Sequence, residues 1–162
     1  MIVLYAEDNP GDQLLAQEAL RESGVKIDLR LVNDGRELLL YLSQCERRSR
    51  ESMPRPHIIL LDLNMPGKSG LEALVEIKSN PFLWDIPIIV LTSSNAETDI
   101  ARAYEAGATA YVRKPTSYSR LVRMMRALGK FWDKAKMPQS ADDPWPDYAV
   151  AAMKGGADDH ES

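Results

Sequence analysis

The chain is poor in cysteine, histidine and phenylalanine: one Cys, two His and two Phe in 162 residues. Cys45 alone cannot close an internal disulfide, so a reducing, cytoplasmic setting is the expectation. No apolar run approaches the roughly 20 residues of a membrane helix, and no basic stretch precedes a hydrophobic one at the N-terminus. Neither a membrane partner nor a secretory leader is therefore expected. An excess of positive charge is also lacking. The formal net charge of −4 argues against nucleic acid as a partner, because its phosphates reward a basic face. His57 and His160 both fall away from the places where chemistry-bearing residues gather, so imidazole acid–base hydrolysis is not expected.

What remains is an ordinary globular balance, 44% hydrophobic and 27% charged, in a length that suits one core plus some extra chain. Five short apolar runs, residues 1–6, 26–32, 57–63, 86–92 and 109–114, read as strands. Runs such as Ile58-Ile59-Leu60-Leu61 are apolar at every position, the pattern of parallel strands covered on both faces. Helical patterns lie between them. The first spans about 10–23, with Asn9 as its cap, Pro10 in the first turn, and Leu14, Leu15, Ala19 and Leu20 as its apolar stripe. The second follows Asn33-Asp34-Gly35 and carries Leu38, Leu39 and Leu42; the others span about 69–78, 96–106 and 117–136. Alternating strands and helices predict an α/β fold, a doubly wound five-stranded parallel sheet, for which strand order 2-1-3-4-5, one of the two usual arrangements, is the expectation. Residues 44–56 read as a solvated loop, and residues 137–162, rich in Pro, Gly and acids, as a tail.

In such sheets ligands bind beyond the carboxyl ends of the strands. Those ends carry Glu7-Asp8, Asp62 followed by Asn64, Thr92-Ser93, and Lys114-Pro115. Each has a plain explanation alone: Asp8 as a helix cap, Asp62 as a turn residue, Thr92 as a strand former, Lys114 as a solvated lysine. Their convergence on one end of one sheet is harder to explain by turn chemistry. Carboxylates with a backbone carbonyl suit a hard cation such as Mg²⁺, an aspartate is a competent phosphoryl acceptor, and a lysine with a hydroxyl suits phosphoryl oxygens. Asp12, in the first turn of the first helix, reads as an acid favoured by the helix dipole. Ser93 reads as a small residue that leaves room for phosphate, and Ser69 as a helix cap.

Glu7-Asp8, the run from Asp62 to Gly70 (DLNMPGKSG), Thr92-Ser93 and Tyr111-Val112-Arg113-Lys114-Pro115 together resemble the receiver domain of two-component response regulators, over about residues 1–130. The resemblance implies a flavodoxin-like receiver at residues 1–136, followed by a tail without an output domain. It implies that a sensor histidine kinase donates a phosphoryl group to Asp62 with Mg²⁺ as cofactor. Glu7, Asp8, Asp62 and Asn64 would hold the metal, Asn64 through its carbonyl; Thr92 and Lys114 would assist transfer. Thr92 and Tyr111 match the switch positions, and the Lys114–Pro115 bond would be cis. Glu7 stands where the family more often has Asp, so its metal contact would run through water.

The stretches AEDNPGD, EIKSNPFLWDIPIIVLTSS and GKFWDKAKMP are most similar to the single-domain regulators that partner phytochromes. That implies a phytochrome as the kinase. Leu121, Met124, Met125, Leu128, Phe131 and Ala135 recur at helical spacing as the core stripe of the fifth helix. Val122 and Trp132 widen it toward a partner surface, read as a symmetric homodimer through the fourth helix, fifth strand and fifth helix. Phe131, Trp132 and Tyr104 are the dimer candidates. Arg120, Arg123 and Arg126 read as a solvated stripe, with pairing to Asp99 or Glu105 of a second copy as the sharper alternative. Three other readings stand beside this one. An aspartyl phosphohydrolase would place an acid where Asn64 stands. A flavodoxin-like binder of small anions meets repulsion from Glu7 and Asp8. A phosphorylation-independent pseudo-receiver sits poorly with all five positions being filled.

Overall fold

The computed structural model describes residues 1–47, 53–94 and 96–133. Five strands, β1 (Ile2–Ala6), β2 (Asp28–Val32), β3 (Ile58–Leu61), β4 (Ile88–Thr92) and β5 (Ala110–Arg113), alternate with α1 (Pro10–Ser23), α2 (Gly35–Arg47), α3 (Gly70–Ser79), α4 (Glu97–Glu105) and α5 (Tyr118–Asp133). All pairings are parallel, in the order β2-β1-β3-β4-β5. In register, Ala6 lies opposite Val32 and Leu61, and Thr92 opposite Arg113, so the polar residues after β1, β3 and β5 leave the sheet at one edge. This is the flavodoxin-like receiver fold. Among the described residues no helix is long and apolar enough to cross a membrane.

Strands β3 and β4 are buried along their whole length, as uninterrupted apolar runs between two helical layers require. Val3, Tyr5, Ile58, Leu60, Ile89 and Leu91 face α1 and α5, whereas Leu4, Ile59, Leu61, Ile88 and Val90 face the layer of α2, α3 and α4. Each such Leu or Ile contributes about 1.5–3 kcal/mol by leaving water. The helix signals act where they were read. Asn9 Oδ1 accepts from the Asp12 N–H, Pro10 opens α1, and Ser69 Oγ accepts from the Glu72 N–H.

Four local expectations are corrected. The strands are shorter than the apolar runs: β2 begins at Asp28 because Ile27 N–H turns back to the Val25 carbonyl. Residues 44–47 continue α2 instead of opening a loop, since Gln44, Glu46 and Arg47 are good helix formers and Tyr41 O–H ties the helix to Pro54 O at 2.9 Å. In α1 the buried positions are Ala16 and Ala19, which pack in one cluster with Met124, Met125 and Leu128 of α5, while Leu14 and Leu15 are exposed. Val122 is buried in the same cluster and does not widen a free face. Arg120, Arg123 and Arg126 are exposed. Phe131 and Trp132 fall in the last turn of α5, and their side chains, like Ala135 and the expected tail, lie outside the described residues.

Candidate functional site

Backbone hydrogen bonds carry the key residues just past the strand ends. Glu7 N–H donates to Val32 O (3.0 Å), Asp62 N–H to Ala6 O (3.2 Å), and Lys114 N–H to Thr92 O (2.8 Å). Each strand therefore delivers its functional residue one step beyond the last ladder pair. Glu7, Asp62 and Thr92 are the buried polar side chains among the described residues, and Asp8 beside them is exposed.

Lys114 is the hub. Its Nζ lies 2.6 Å from Glu7 Oε2, 2.9 Å from Asp62 Oδ2 and 3.1 Å from Asp12 Oδ2. An ammonium has three protons, so three carboxylates saturate it. The remaining oxygens are held locally: Glu7 Oε1 accepts from Asn9 N–H and Asp62 Oδ1 from Asn64 N–H. Burial pushes the Glu7 carboxyl above its ordinary range, and the Lys114 ammonium and Asn9 N–H only partly offset that. Burial would discharge Lys114, but its bonds to Glu7 and Asp62 outweigh it and hold the ammonium above its ordinary value.

Glu7, Asp8 and Asp62 each place a carboxylate oxygen within 4.8 Å of the others. An all-oxygen set with an excess of negative charge over Lys114 fits a hard divalent cation. On the facing side, Asn64 Nδ2 donates to Thr92 Oγ1 at 3.4 Å, which brings the Thr92 hydroxyl to the loop that carries Asp62. Tyr111 is buried with its ring turned inward, and its O–H donates to Ser94 O at 2.8 Å. Its backbone N–H donates to the hydroxyl of half-buried Tyr104. Ser94 Oγ donates to Asp99 at 2.6 Å, so the loop after β4 is tied both to β5 and to α4. The Lys114–Pro115 bond is trans, the isomer the amide itself favours by about 0.5–1 kcal/mol, and not the expected cis form.

The predicted residues Glu7, Asp8, Asp62, Asn64, Thr92 and Lys114 thus gather at one sheet edge, and Ser93 is exposed beside them. Asp12 takes the expected place in the first turn of α1 but also reaches Lys114, a contact that helix periodicity does not reveal. Two further residues escaped the sequence reading. Gln13 Nε2 donates to Glu7 O and to Asn33 Oδ1 (2.9 Å), and Tyr5 O–H donates to Glu7 Oε2 at 3.1 Å. The signal for Tyr5 was present: it is the one hydroxyl in an apolar strand, two residues before Glu7 and hence on its face.

The sequence pattern of the response regulator receiver domain matches residues 3–126. Response regulator Rcp1 of Synechocystis sp. is 39% identical over 131 residues, 81% of this chain and 88% of that protein. Among solved structures, the Mn²⁺-bound form of Rcp1 superposes with a TM-score of 0.71 at 36% identity, covering 86% of this chain and 99% of that one. The phosphorylated cyanobacterial phytochrome response regulator RcpA gives a TM-score of 0.73 at 38% identity, covering 86% and 98%.

Proposed function

This chain belongs to the response regulator receiver domain family, and from that premise we propose that it accepts a phosphoryl group on Asp62 from a sensor histidine kinase. The observation that carries this reading is the Lys114 ammonium held between Glu7 and Asp62 beside a three-acid cluster. In the transfer, an Asp62 carboxylate oxygen attacks the phosphorus of a phosphohistidine. An acyl P–O bond forms as the P–N bond breaks, and its electron pair returns to the imidazole, which takes up a proton. Lys114 already faces Asp62 and pairs with the incoming phosphoryl oxygens by leaving an acid it now holds. Thr92 offers its hydroxyl from the same side. Glu7, Asp8, Asp62 and the Asn64 carbonyl are the groups that would hold Mg²⁺. Bound there, Mg²⁺ supplies positive charge against the phosphoryl oxygens.

A phosphoryl group adds about −1.5 to −2 charges to the site. Drawing Lys114 and Thr92 toward that charge disturbs the loop after β4, and Tyr111 and Ser94 pass the change to α4 and β5. We assign the readout to that face, as a homodimer through α4, β5 and α5. Exposed Glu97, Arg102 and Glu105 on α4 and Arg113 on β5 offer it complementary charge. The kinship with phytochrome response regulators supports a phytochrome as the kinase, and the cytoplasm as the place of the exchange. The protein is a signalling acceptor and not a multiple-turnover enzyme, since Asn64 offers an amide where an aspartyl phosphohydrolase needs an acid.

Incubation with acetyl phosphate and Mg²⁺, followed by intact mass, tests the assignment. One phosphoryl group is expected on the unsubstituted chain and none on Asp62→Asn. Equal labelling of the two overturns Asp62 as the acceptor, and rapid repeated hydrolysis of phosphate esters overturns the signalling role. Sedimentation of Phe131→Ala/Trp132→Ala tests the dimer, which should weaken.

A further inference from the structure

The β1 residue Tyr5 is buried among Ala16, Leu91, Met125 and other apolar side chains between the sheet and the α1/α5 layer. A phenylalanine would satisfy that packing equally well, so the hydroxyl needs its own explanation. A buried phenol without a partner would be costly, and this one has a single aim: Glu7 Oε2, at 3.1 Å. That oxygen also receives the Lys114 ammonium at 2.6 Å. Two donors fill the two lone pairs of one carboxylate oxygen. The other oxygen is steadied by Asn9 N–H, so the Glu7 carboxylate is held at both ends. Glu7 already has an oxygen within 4.8 Å of those of Asp8 and Asp62, and drawing it the rest of the way onto a shared cation would work against the Tyr5 and Asn9 bonds.

We propose that the Tyr5 hydroxyl is a positioning group that pins Glu7 on the Lys114 side of the acid cluster, so that Glu7 meets a bound divalent cation through water. This rests on reading the acids as a cation site, and it explains how a glutamate, one methylene longer than an aspartate, is kept from crowding the cation. It also leaves Glu7 Oε2 with a donor when Lys114 turns to the phosphoryl group.

Mn²⁺ alone, without a phosphodonor, is the probe. Water-proton relaxation counts the waters that Mn²⁺ retains, and a titration gives its dissociation constant. Tyr5→Phe removes one oxygen atom and keeps the packing. Freed Glu7 then replaces a water, so the variant is expected to retain one water fewer and to bind Mn²⁺ about three- to tenfold tighter, the scale of one typical net hydrogen bond. The gain should vanish in Tyr5→Phe/Glu7→Gln. An unchanged water count and affinity in Tyr5→Phe, or weaker binding, overturns the proposal while leaving the cation site standing. Failure of the unsubstituted chain to bind Mn²⁺, or binding indifferent to Asp8→Asn and Asp62→Asn, overturns the cation site and this proposal with it.

Discussion

Asp12 and Lys114, 102 positions apart in the chain, meet at 3.1 Å between Oδ2 and Nζ. The Asp12 carboxylate is 42% exposed, so water screens the pair to about 0.2–1 kcal/mol. Asp12→Asn should therefore lower unfolding stability by no more than about 1 kcal/mol in urea titrations. A loss above about 2 kcal/mol would show that Asp12 is more than a screened partner.

Lys114 itself is a different case, because Glu7 and Asp62 behind it are nearly dry. Removing one partner of a buried pair leaves charge uncompensated, at a cost of several kcal/mol. Lys114→Met should destabilise the protein by about 2–4 kcal/mol in the presence of a chelator. Millimolar Mg²⁺ should restore part of that, since a cation bound only by the native state stabilises it by mass action. Equal loss with and without Mg²⁺ would separate the lysine from the acid cluster.

At Gly70, the first residue of α3, a Cβ would collide with the Asp62 carbonyl oxygen and stand 2.7 Å from Leu63 Cα. Backbone cannot yield as a flexible side chain does. Gly70→Ala should cost about 1–3 kcal/mol through overpacking and should also weaken Mn²⁺ binding, because the displaced segment carries Asp62 and Asn64. Thermal melts and a Mn²⁺ titration of the same sample check both. A stable variant with unaltered Mn²⁺ affinity contradicts the close approach.

His57 predicts a pH dependence. Its Nδ1 accepts from the Ile2 N–H at 2.9 Å, and burial, reinforced by the charged N-terminus, holds the imidazole below its ordinary 6.5. The unfolded chain then binds a proton more readily than the native one, so His57 withdraws stability as pH falls through 6.5 toward the lower native value. Glu7, held above its ordinary range, works in the opposite sense, so the comparison must be between variants. His57→Asn, which keeps an acceptor for Ile2, should lose less stability than the unsubstituted protein over that interval. Parallel pH profiles in urea melts would exclude His57 as a source of the slope.

The legible parts of this protein were those written in local pattern. Unbroken apolar runs such as Ile88 to Leu91 mark strands buried on both faces, and Asn9-Pro10 and Ser69 mark helix starts by satisfying backbone donors nearby. Glu7, Asp62, Thr92 and Lys114 could be grouped before any coordinates because strand ends in a parallel sheet share one edge. The misreadings arose where a neighbour in space overrode the pattern. Leu14 and Leu15 looked like a core stripe, but the face of α1 that meets α5 carries Ala16 and Ala19.

Composition and periodicity were sufficient for the parallel sheet and for grouping the polar residues at the carboxyl ends of its strands, since hydrophobic patterns and connection rules act over a few residues at a time. Folding in three dimensions settled which acid shares which proton donor. Lys114 binds Glu7, Asp12 and Asp62 together, and Tyr5 closes on Glu7 from beneath. Those choices depend on ångström-scale distances between elements far apart in the chain, where burial makes every unpaired charge costly, and no local pattern encodes them.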